Sequence, residues 1–212
     1  MTPRSDSRVI LVHARLLPSA EEIEIMGMPA THGAITTIEE LLALPEDGMR
    51  HELLDGVHAV TPAPLYIHQK AVLELASLLL AALRDRTDAE VLVSPADIVL
   101  APRTLVQPDV FVIRKSPERP IRGWPDAGVP LLAIEVLSPG TAARDRGVKR
   151  RIYQNAGVGD YWIVDLDARI VERWTPADER PEVVDGTLRW SLPGGACGEI
   201  DLPAFFRRVH GD

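Results

Sequence analysis

The chain has 212 residues, 46% of them hydrophobic and 25% charged, as in an ordinary soluble globular protein with one sizeable core. No apolar run is long enough to span a bilayer, so no membrane partner is expected. The lone Cys197 excludes an intramolecular disulfide and argues against a cysteine-based zinc site, which fits a reducing, cytoplasmic setting. A formal net charge of -8 argues against a protein that coats nucleic acid non-specifically, though not against an enzyme with a local basic patch.

Residues 1–30 lack clear periodicity and carry Pro3, Pro18 and Pro29. They read as an N-terminal extension without a secretory signal, ahead of a domain over 31–212. Met26 and Met28 are candidates for the native start. Thr36 or Thr37 can cap a short helix with Glu39 and Glu40 in its first turn, and Pro45 closes it. Glu52-Leu53-Leu54 leads into Asp55-Gly56, a hairpin signal, and Val57 to Thr61 is the returning strand. Residues 66–86 predict the longest helix, with Ile67, Ala71, Leu75, Leu78, Leu79 and Ala82 on one stripe.

Strand material follows at Val91 to Leu100, broken by Pro95, then at Val110 to Ile113 and at Leu131 to Leu137. The continuous apolar runs suggest strands covered on both faces. A second helix is expected from Ala142 to Asn155, stopped by Gly157. Tyr161 to Val164 and Ile170 to Trp174 form a plausible strand pair, and a short amphipathic piece surrounds Phe205 and Phe206. One mixed sheet flanked by helices is the simplest α/β arrangement.

Glu135 lies inside the run Leu131 to Leu137. A carboxylate buried there costs on the order of a few kcal/mol unless a basic partner, a raised pKa or a metal ion compensates it. Asp109 begins the preceding apolar strand, and neighbouring strands can bring the two together. Two readings stand side by side: a carboxylate pair holding Mg2+ or Mn2+, or a strand-end cap beside a structural ion pair. Asp145, Lys149 and Tyr153 recur at intervals of four and share a helix face. A lysine there can stabilise hydroxide and developing phosphate charge, but spacing alone favours a solvated Asp145–Lys149 pair.

From Arg114 to Arg151 there are nine Lys or Arg against four acids. Arg114, Lys115, Arg119, Arg122, Arg144, Arg146 and Arg150 are candidates to hold a phosphate backbone, and Trp124 to stack on a base. A basic surface loop with a packing tryptophan is the competing reading.

These segments together carry a family resemblance. Glu52-Leu53-Leu54-Asp55-Gly56, Gln107-Pro108-Asp109, Glu135-Val136-Leu137-Ser138-Pro139, Asp145 with Lys149 and Tyr153, and Gly157-Val158 before Tyr161-Trp162-Ile163-Val164-Asp165 follow in order and spacing. From about Thr36 to Phe206 the chain resembles the Uma-two family of endonucleases, within the PD-(D/E)XK superfamily. The resemblance implies a restriction-endonuclease-like core, a central mixed sheet with helices on both sides. It also implies phosphodiester hydrolysis with Mg2+ or Mn2+, on DNA rather than RNA, by a homodimer. Glu52, Asp109 and Glu135 match its acidic positions, with the Val136 carbonyl as a further metal ligand. The superfamily lysine is expected two residues after Glu135, where Leu137 stands, so Lys149 is the candidate. His68 matches a histidine at the start of the long helix and either orients a phosphate or packs against the loop after Pro64. A catalytically inactive nucleic-acid-binding or regulatory dimer on the same fold is the alternative. A two-carboxylate glycosidase ranks low, because no sugar-stacking aromatic cluster is evident.

Overall fold

Strand alternation explains most of the architecture. In a computed structural model, which describes residues 35–212 except 117, 119, 194 and 196, three consecutive apolar strands each send alternate side chains to opposite faces of one sheet. The expected extension over 1–30 lies outside the described residues.

The elements run in chain order as α1 (Ile38–Leu42), β1 (Arg50–Leu54), β2 (Val57–Thr61), α2 (Tyr66–Ala82), β3 (Ala89–Val93), β4 (Ile98–Ala101), β5 (Thr104–Val106) and β6 (Val110–Arg114). Next come α3 (Trp124–Ala127), β7 (Leu132–Val136), a helix in two parts, α4 (Ala142–Arg144) and α5 (Arg150–Asn155), and β8 (Asp160–Asp165). The chain ends in β9 (Ile170–Trp174), β10 (Glu182–Val184), β11 (Thr187–Ser191), β12 (Cys197–Asp201) and α6 (Leu202–His210).

Six strands form the central mixed sheet in the order β10-β9-β8-β7-β6-β3. All its neighbours are antiparallel except β7 and β8, which the intervening helix joins in parallel. Val110, Val112, Leu132, Ile134, Val136, Trp162 and Val164 face one core with α2, α6 and the β11–β12 hairpin. Phe111, Ile113, Ala133, Tyr161 and Ile163 face a second core with Ile152 and Tyr153 of α5. Helices thus cover both faces, as the expected α/β class requires.

Two features depart from the simplest arrangement. The run from Val91 to Leu100 divides: β3 edges the central sheet, while β4 joins a second, four-stranded sheet in the order β2-β1-β5-β4. β4 and β5 have only four and three residues, and β1 reaches β5 through the pair Leu53 and Leu105, a contact far apart in sequence. The helix after β7 is not a uniform α-helix either. Asp145–Lys149 is a π-helical turn between α4 and α5.

Smaller expectations agree with the local chemistry. Thr37 caps α1, its hydroxyl accepting from the Glu40 N–H while the Glu40 side chain accepts from the Thr37 N–H. The helix ends at Leu42, before Pro45. Asp55 and Gly56 have φ of 53° and 84°, the left-handed turn that joins β1 to β2. Ala71, Leu75 and Leu79 form the buried stripe of α2, while Ala82 is exposed at its end.

Candidate active site

β6 and β7 pair with Val110 opposite Ile134, and that register continued by one residue sets Asp109 opposite Glu135. Both belong by alternation to the sheet face that α5 and the four-stranded sheet cover. β1 brings Glu52 to the same place from the second sheet. Glu52, Asp109 and Glu135 are 1%, 2% and 3% exposed. All three line a cavity of about 240 Å3, together with Arg50, His68, Arg144, Asp145 and Lys149.

Each carboxylate has defined partners. Asp109 Oδ1 accepts from Arg50 Nη2 at 2.8 Å, and its Oδ2 accepts from the Val136 N–H at 2.8 Å and from His68 Nε2 at 3.1 Å. Burial works against its charge, but His68, Arg50 and the Val136 amide hold its pKa down to about 2. Glu52 Oε1 accepts from the Gln107 N–H and from Lys149 Nζ, both at 2.8 Å. Glu135 Oε1 lies 2.5 Å from Lys149 Nζ and accepts from the Tyr153 hydroxyl at 2.8 Å.

Lys149 is 1% exposed, so the solvated Asp145–Lys149 pair that spacing favours does not exist. The π turn and the packing of α5 on the sheet direct the ammonium inward, between Glu52 and Glu135. Burial disfavours its charge, yet Glu135 and Glu52 hold its pKa above the ordinary lysine value. Glu135 shifts the opposite way to Asp109. Burial, with Asp109, Asp145 and Glu52 nearby, pushes its pKa up to about 8 against the pull of Lys149. Burial also raises that of Asp145. Four buried carboxylates share the cavity with Arg50, Arg144 and Lys149, one positive charge too few, and the raised pKa of Glu135 expresses that shortage.

That shortage, and the all-carboxylate donor set, fit a hard divalent cation. Magnesium is commonly held by one or two carboxylates with water completing its shell. Asp109 and Glu135 provide such a pair. Among the described residues, no group of three His, Cys, Asp or Glu is gathered closely enough to hold a metal. Glu52 is instead turned to Lys149 and the Gln107 amide.

Other expected residues divide by location. His68 sits on the cavity wall and bonds Asp109, so it is more than loop packing; its Nδ1 has no partner among the described residues. Leu137 packs on the second core. Arg144 lines the cavity, with Nη2 donating to Thr61 Oγ1 at 2.6 Å and Nε buried without a partner among the described residues. Trp124 lines an adjoining cavity.

Among the described residues, the remaining basic candidates do not line this cavity. β6 carries Arg114 away from Asp109, roughly 16 Å at ~3.3 Å per strand residue, and Lys115 follows just beyond its end. Arg146 is held by Asp165 at 2.8 Å and Glu172 at 2.6 Å. Arg150 lies 4.7 Å from the centre of the Trp174 ring and bonds Gln154. Arg122 is exposed, and Arg119 lies outside the described residues. Closeness in sequence did not become closeness in space, because a strand and a helix each spread their side chains.

Arg50 and the Gln107 backbone amide meet the candidate site; the sequence reading did not single out Arg50 and quoted Gln107 only within a motif. Arg50 stands two residues before Glu52 and so shares its strand face, which was the available signal. The Gln107 amide had none, since a backbone donor carries no residue signature.

A family described as "Putative restriction endonuclease", Uma2, matches residues 38–198. Among curated proteins, none matches. A solved structure from Anabaena variabilis ATCC 29413, described as a putative nuclease belonging to DUF820, is similar with a TM-score of 0.68. It is 21% identical, over 82% of this chain and 98% of that one, and so supports the fold alone.

Proposed function

Because the chain belongs to the Uma2 family of putative restriction endonucleases, we propose that it is a divalent-metal-dependent endonuclease that hydrolyses phosphodiester bonds in DNA. The observation that carries this reading is the cavity itself: buried Asp109 and Glu135, placed by opposing strands beside Lys149.

Asp109 and Glu135 would hold Mg2+ or Mn2+, with Glu52 across the cavity and the Val136 carbonyl at hand. Such an ion supplies an acidified water and neutralises the leaving oxygen. Arg50 and His68 keep Asp109 ionised and oriented for that role. Tyr153 fixes Glu135 by donating to Oε1. Lys149, whose pKa is raised, acts as a cation that stabilises charge developing on the phosphate, not as a base. Arg144, already anchored on Thr61, holds a non-bridging phosphate oxygen through its remaining donors.

The test is cleavage of labelled DNA with Mg2+ or Mn2+, comparing the wild type with Asp109→Ala and Glu135→Ala. Each variant should lose at least ~100-fold in rate, a typical cost of removing one group that stabilises the transition state. Equal cleavage by the variants removes the reading. One observation favours a second reading, a nucleic-acid binder without turnover: Leu137 stands where the superfamily lysine is expected, and Lys149 is engaged by both Glu52 and Glu135. Retained DNA binding with no cleavage under either metal would select it.

A further inference from the structure

The catalytic cavity has a larger neighbour. A second cavity of about 570 Å3 adjoins it and shares Arg50, His68 and Asp109 as a common wall. Its volume falls in the ~300–1,000 Å3 range of pockets that enclose small organic groups.

The two cavities differ in charge. Arg144 and Lys149 line the smaller one beside its four carboxylates, a set that suits a phosphate once the proposed divalent ion is bound. Glu46, Asp47 and Asp97 line the larger one, and its sole Lys or Arg among the described residues, Arg50, is engaged by Asp109. A phosphodiester is repelled from such a surface. A nucleobase is not, because it is uncharged and has apolar faces with polar edges.

The walls match those needs. Trp124, Met49 and Pro95 supply apolar surface, and Trp124 is held edge-on against Phe111 at 6.1 Å. Asp97 presents a carboxylate, fixed by Gln107 Nε2 at 2.9 Å, and Gln69 presents an exposed amide. A carboxylate is the complement of an exocyclic base amine. Bases stacked and paired in a duplex cannot enter a cavity of this kind; enzymes that engage a single base take it out of the stack.

We propose that the larger cavity receives the base of an unpaired nucleotide whose phosphate lies in the smaller one, so that the site prefers single-stranded or locally unpaired DNA to continuous duplex. This rests on the nuclease reading above for the placement of the phosphate.

The experiment measures anisotropy of end-labelled oligonucleotides with Ca2+ present, and cleavage of the same oligonucleotides with Mn2+. A single strand should bind at least ~10-fold more tightly than the duplex of its sequence, given the energy of stacking one base on an aromatic ring. A duplex with a central unpaired stretch should be cut there. Trp124→Ala should lower single-strand affinity about ten-fold and leave duplex affinity unchanged. Gln69→Ala, at an exposed position that does not threaten folding, should lower it a few-fold. Equal affinity for duplex and single strand, or both variants binding as wild type does, overturns the assignment. Duplex cleavage by unaffected variants overturns it while leaving the nuclease reading intact. Single-strand preference without cleavage under Mg2+ or Mn2+ does the reverse.

Discussion

Lys149 makes the strongest residue-level prediction. Its ammonium compensates Glu52 and Glu135, and all three side chains are buried. Lys149→Met keeps the volume and removes the charge. Metal-free stability should fall by about 3 kcal/mol or more, the cost of breaking a buried pair on one side. Added Mn2+ should then raise the melting temperature of the variant more than that of the wild type. Thermal melts with and without the ion check both points. Asp109 predicts an acid limb. Its pKa is about 2 when folded, below the ordinary 3.8, so its stabilisation is fully present above that ordinary value and is lost as pH falls toward 2. The stability gap between wild type and Asp109→Asn should therefore narrow by about 2 kcal/mol between pH 6 and pH 2, measured by denaturant titration. These two residues also differ in how readable they were. Asp109 opens an apolar strand and is visible as an anomaly. Lys149 sits among four arginines and another acid, and nothing local separates an inward lysine from a solvated one.

At the scale of elements, the π turn is the feature to test. π turns occur as single-turn interruptions of α-helices, often at functional sites. Gly147 lies within this one, and nothing approaches its Cβ direction within 4 Å. Deleting Gly147 should restore a continuous helix and rotate Arg144 and Asp145 by about 100° relative to Tyr153. Circular dichroism should be retained, while the Arg144–Thr61 contact and DNA cleavage are lost. A deletion variant that cleaves normally would show that the turn does not set the site. The long elements were legible from their pattern: the stripe of α2 and the continuous apolar runs of β6, β7 and β8 each extend over several residues. β4 and β5 were not, because three or four residues hold too little pattern and their pairing with β1 is non-local. The π turn leaves no signature that a spacing of four can detect.

For the whole molecule, the site is also the joint between two sheets. The four-stranded sheet contributes Arg50 and Glu52 from β1, and the central sheet contributes Asp109 and Glu135. Arg50 to Asp109, the Gln107 amide to Glu52 and Lys149 to Glu52 cross or brace that joint. Glu52→Ala should therefore speed amide exchange in β1, β2 and β5 before it affects β7, β8 and β9. Uniform acceleration across both sheets would mean that Glu52 supports the global fold and not the joint. Here the sequence was legible only in part. A family motif marked Glu52 without saying that it comes from a different sheet.

The ammonium between Glu52 and Glu135 has one more consequence. Small domains built around a structural ion unfold when it is stripped, because the ion is part of their folding energy. Lys149 relieves this chain of that dependence, since the acidic cavity carries its own counter-charge through biosynthesis. On the metal-dependent reading proposed above, metal starvation should then silence the protein reversibly without exposing it to proteolysis, and resupply should restore function without refolding.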